Sequence, residues 1–94
     1  PKILDEEIWS NFNKKNFKYA ECSTCTDKLG LDIYNNTNGF LTEYSKTIPS
    51  EDMAEVYSFI ITDKENINKI KKIDPIIFNK VEFINSKLKE INNL

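Results

Sequence analysis

The segment Thr47–Ile61, TIPSEDMAEVYSFII, spaces its side chains for a helix that is apolar around most of its circumference. Met53, Ala54, Val56, Tyr57, Phe59, Ile60 and Ile61 predict a largely buried element. Pro49 suits its first turn, and Thr47 or Ser50 would cap it. Glu51 and Glu55 stand at i and i+4, so their carboxylates share one face, and Ser58 and Thr62 continue that narrow polar stripe. A carboxylate taken out of water is costly unless it is paired, hydrogen-bonded or bound to a metal. A nearly apolar helix with a carboxylate stripe is therefore a place to look for a site. The plain alternative is a solvated helix face whose glutamates pair with lysines. Asp52, between them, reads as a partner of the helix dipole at its N-terminus.

The rest of the chain groups around this helix. Asp5 can cap a first helix from Glu6 to about Asn16, with Ile8, Trp9 and Phe12 as its apolar stripe. Tyr19 to about Tyr44 is the least regular part and includes the polar run Asn35-Asn36-Thr37-Asn38. Thr62-Asp63-Lys64-Glu65 has the pattern of a capping box for a short helix to about Ile73. Asp74-Pro75 then restarts the chain, Asp as cap and Pro in the first helical position. Ile77, Val81, Ile84, Leu88 and Ile91 recur at alternating four and three residues, the packing seam of a last helix. The 94 residues suffice for one small domain. The expected fold is mainly α with about four helices: 1–17, an irregular segment over 18–46, the glutamate-bearing helix over 47–62, a short helix over 63–73 and a last one over 74–92.

Composition narrows the chemistry. There is no histidine, which removes the commonest neutral-pH base and the commonest zinc ligand. All 13 cationic residues are lysines, interspersed with acids, so neither bidentate arginine recognition nor a basic stripe is available. That argues against a nucleic-acid partner. No apolar run reaches bilayer-spanning length. The first residue is proline, which is expected of a trimmed or partial chain.

Cys22-x-x-Cys25 stands alone, without a second such pair or a histidine. It reads as a local disulfide or two plain thiols, or as half of a metal site completed from outside this chain. Trp9, Phe12 and Phe17 read as core, with a partner-binding patch as the alternative, and Lys69, Lys71 and Lys72 as a solvated face.

From Leu41 onward the residues resemble a known family. Leu41-Thr42-Glu43-Tyr44, then Thr47, then Glu51-Asp52-Met53-Ala54-Glu55 look like the end of a zincin-like zinc-metallopeptidase domain of the anthrax toxin lethal factor type. A Tyr seven residues before a helical Glu, the E-x-x-x-E pair, a break at Pro75 and Phe83-Ile84-Asn85 in the last helix agree in order and spacing. The likeness covers roughly residues 41–92. It implies that Glu51 is the third zinc ligand and that Glu55 orients a ligand histidine from behind. Tyr44 would stabilise the oxyanion formed on a peptide carbonyl. It also implies a peptide or protein substrate and, in many relatives, export.

The departure is plain: the chain has no His-Glu-x-x-His, so two ligands and the general base are missing. The chain alone is then inactive, and its natural partner is an upstream part of the same domain. Zinc belongs to the longer protein and binds weakly or not at all here. The alternative is a non-catalytic zincin-like docking module. A small redox or metal protein centred on Cys22 and Cys25 is a third reading.

Overall fold

The computed structural model describes residues 5–20 and 34–92, and Cys22 and Cys25 lie outside the described residues. Among the described residues the chain is mainly α: four helices and one 3-10 turn, with no strand. The helices are α1 (Glu6–Ser10), α2 (Pro49–Thr62), α3 (Lys64–Ile73) and α4 (Pro75–Asn92), with the 3-10 turn at Tyr44–Lys46 before α2. None of these helices is long and apolar enough to cross a membrane.

Asp5 caps α1 as its position suggested, its Oδ1 accepting from the amides of Glu7 at 2.9 Å and Ile8 at 3.3 Å. The helix ends at Ser10, well short of Asn16. A helix of five residues is too short to stand alone, and burial of Trp9 holds it. Trp9 packs edge-on against Phe12 and against Phe83 of α4. Phe17 packs against Tyr19 and Phe40. These aromatic residues serve the interior and its border.

The core is Trp9, Leu41, Met53, Val56, Ile67, Ile70, Ile77, Val81 and Ile84, drawn from all four helices and the loop before α2. The seam of α4 is buried over Ile77, Val81 and Ile84, while Ile91 is exposed. The expectation that α2 is buried nearly all round does not hold. Its inward arc is Asp52, Met53 and Val56, and Tyr57 and Ile61 are 45% and 63% exposed. Among the described residues α2 packs against α1, the 3-10 turn, α3 and α4, and Tyr57 and Ile61 fall outside those contacts.

Caps differ in detail. Ile48 occupies the cap position of α2 and gives no side-chain bond, while the Thr47 hydroxyl turns back to the carbonyl of Tyr44 at 2.7 Å. The capping box at α3 does not form: its cap is Asp63, without a side-chain bond to the helix amides. At α4 the expectation holds. Asp74 Oδ1 accepts from the amides of Ile76 and Ile77 at 3.0 and 3.1 Å, with Pro75 in the first helical position.

Candidate functional site

Ahead of α2 the chain winds into its 3-10 turn, and buried hydroxyls fix its shape. Thr42, Ser45 and Thr47 are fully buried. Thr42 and Ser45 each accept the other's amide through the side-chain oxygen, at 3.2 and 3.3 Å, and their hydroxyls lie 3.0 Å apart. The Thr42 hydroxyl donates onward to Glu55 Oε1 at 3.1 Å. Glu55 therefore clamps the turn to α2 from the second turn of the helix.

That clamp sets Tyr44 beside Glu51. The Glu51 carboxylate beside the Tyr44 hydroxyl is the first cause holding the phenol pKa above its ordinary value; some desolvation and the charge of Glu55 add to it. Glu55 is also held above the usual carboxylate range. Burial is the main cause, the Thr42 bond opposes it, and the charges of Glu51 and Asp52 reinforce it. Tyr44, Glu51 and Glu55 thus form one group on the outer side of α2. Both glutamates are half-buried, and neither makes an ion pair with a lysine among the described residues.

Beneath this group lies a second, wholly buried one. Asp52 and Lys80 are both fully buried, with Oδ2 and Nζ 2.7 Å apart. The same Oδ2 accepts from Trp9 Nε1 at 3.0 Å and the Tyr19 hydroxyl at 2.7 Å. Lys80 Nζ also donates to the carbonyl of Gly39 at 2.6 Å and lies 3.9 Å from the centre of the Phe40 ring. Burial pushes Asp52 up from the usual carboxylate range, against Lys80 and the donors of Tyr19 and Trp9. Burial likewise pushes Lys80 down, against Asp52. Asp52 stands in the first turn of α2, as a dipole partner would, and is in addition an inward ion-pair partner.

Sequence reasoning missed this group, although a signal was present. Lys80 follows Ile77 by three residues and precedes Ile84 by four, so it lies on the apolar seam of α4. Asp52 precedes Val56 by four residues on the inward arc of α2. A lysine and an aspartate on two apolar faces are candidates for each other.

Catalytic zinc takes three protein ligands and keeps one open position. No group of three or more His, Cys, Asp or Glu able to hold a metal exists among the described residues. Glu51 and Glu55 offer carboxylate oxygen only, and the chain has no imidazole to add. The residues present do not by themselves fit a zinc ion.

The comparison with curated proteins finds no match, and that with solved structures finds none either. The profile of a family described as "Putative zinc-binding metallo-peptidase" matches residues 2–92. With α1 to α4 all inside the matched range, the chain belongs to this family.

Proposed function

We propose that this chain is the C-terminal, carboxylate-donating part of a zinc endopeptidase domain of the lethal factor type. The observation that supports the reading is the pair Glu51 and Glu55 one turn apart on α2, with Glu55 accepting from Thr42, two residues ahead of Tyr44. In this reading Glu51 is one metal ligand, held rigidly on α2. Glu55, already accepting from Thr42, keeps a second oxygen that can take the N–H of a ligand imidazole. Tyr44 stays protonated at neutral pH, so its hydroxyl remains a donor. On substrate entry it would donate to the oxygen of the scissile carbonyl. The remaining ligands and the general base come from outside these residues.

The test uses the complete gene product. Zinc content and cleavage of fluorescent casein are measured for the wild type and for Glu51→Gln. Loss of bound zinc together with at least about a hundredfold loss of cleavage is expected, as for a missing metal ligand. Unchanged zinc and cleavage, or a gene product without a His-Glu-x-x-His helix, overturns the reading.

One observation favours a docking module instead. Met53, Ala54 and Tyr57 of α2 and Ile84, Leu88 and Ile91 of α4 line an apolar groove of about 480 Å³. Equal casein turnover by wild type and Glu51→Gln would direct attention there.

A further inference from the structure

The loop Tyr34–Leu41 is held more firmly than its polar sequence requires. Asp74 Oδ2 accepts from the Thr37 hydroxyl and, at 2.7 Å, from the amide of Gly39. Lys80 takes the Gly39 carbonyl. The loop also closes on itself, through the amide of Phe40 on the carbonyl of Thr37 and the amide of Tyr34 on that of Leu41, both at 2.8 Å. Gly39 has φ +94°, and a Cβ there would stand 2.9 Å from Ile76 Cγ2, so the loop lies directly against the start of α4. Two buried ionic side chains thus fix one short loop, and three of its asparagines remain outside: Asn35, Asn36 and Asn38 are exposed.

These amides line a cleft of about 610 Å³ together with Asn66 and Lys69 of α3, Lys14, and the apolar Ile73, Pro75 and Ile76. Tyr34 lines it too. Its hydroxyl donates to Glu43, and Lys46 lies 4.8 Å from its ring centre, so the ring is held in place. The Asp74 carboxylate spends its acceptor capacity on four donors of the protein and presents little free negative charge.

We propose that this cleft binds an oligosaccharide bearing a carboxylate. Side-chain amides supply paired donors and acceptors that match vicinal hydroxyls. A fixed aromatic ring and an apolar wall suit the C–H face of a sugar, Lys14 suits its acidic group, and Lys69, loosely paired with Glu65 at 3.8 Å on an exposed face, can turn to it. Rigid loops that present polar side chains are where binding residues concentrate. The volume is that of a small-ligand site. This proposal rests on the loop and α3, and stands independently of the peptidase reading.

The test is a 15N NMR titration of the complete gene product with 3′-sialyllactose and, separately, lactose. Saturable shifts confined to Tyr34–Asn38, Asn66 and Lys69 are expected, with the acidic sugar binding more tightly. Asn36→Ala in the loop and Asn66→Ala on α3 should each weaken binding about fivefold or more, the loss of roughly one hydrogen bond. Asn38→Gly keeps the positive φ of this residue while removing its amide, and should weaken binding without altering the helical circular dichroism. No saturable shift at about 20 mM of either sugar, a concentration that reveals even millimolar affinity, overturns the proposal. So do shifts that persist unchanged in both alanine variants, and equal affinity for the two sugars overturns the acidic assignment.

Discussion

Lys80 is a cation enclosed by the protein on every side, and its position is tolerable only because three partners converge on it: Asp52, the Gly39 carbonyl and the face of Phe40. Removing one member of a buried pair leaves the other charge uncompensated, which typically costs about 3–5 kcal/mol. Lys80→Met retains most of the volume and the seam of α4 but strands Asp52, whose Oδ1 has no hydrogen-bond partner among the described residues. The expected outcome is a loss of stability of about that size in urea denaturation followed by circular dichroism. A loss below about 1 kcal/mol would mean that Asp52 accepts a proton at little cost and that the pair contributes little. The pair lies directly beneath the turn that carries Glu51, so its rigidity reaches the candidate site through one turn of α2.

The elements show which features short-range patterns can reveal. The Asp74-Pro75 start of α4, the Asp5 cap and the Ile77–Val81–Ile84 seam were legible, because each depends on residues within a few positions of one another. The length of α1 was not, because nothing local stops it at Ser10; Trp9 is fixed by Asp52, 43 residues away. The outer face of α2 misled for a similar reason: Tyr57 and Ile61 are apolar, but their burial depends on whether another element covers them. For the candidate site, Glu51 and Glu55 stood out by their i, i+4 spacing and Tyr44 through the family resemblance, whereas the Thr42–Ser45 clamp required the fold of the turn. Asp74 provides an element-scale test. Burial works against its charge, but the Thr37 hydroxyl and the amides of Gly39, Ile77 and Ile76 outweigh it and hold its pKa below the usual carboxylate value. A depressed carboxylate stabilises the fold above the unfolded-state pKa, near 3.9, and that contribution is lost as pH falls through the lower folded-state value. Asp74→Asn keeps an amide-capping oxygen but no charge. Its stability deficit against the wild type should be greatest near neutral pH and shrink as the pH falls below about 4, measured by thermal melts across pH. A deficit independent of pH would show that the charge of Asp74 is not what holds the loop to α4.

At the scale of the molecule, one network crosses almost every boundary between elements. Trp9 of α1, Tyr19, Gly39 in the loop, Asp52 of α2 and Lys80 of α4 are joined by successive hydrogen bonds, with Asp74 tying the same loop to the α3–α4 junction. A small core could leave α1 as a separable flap, since five helical residues have negligible stability of their own. The network argues otherwise, because releasing α1 strips Asp52 of a donor and opens the aromatic contacts of Trp9 with Phe12 and Phe83. Trp9 is the only tryptophan, so its fluorescence reports α1 alone, while helical circular dichroism is dominated by α2, α3 and α4. The two signals should trace a single transition with the same midpoint in urea, as two-state unfolding requires. Fluorescence changing at a lower urea concentration than ellipticity would show α1 docking and undocking on a folded α2–α4 body. In that case the buried pair would have to persist without Trp9, held by Lys80, Tyr19 and the Gly39 carbonyl.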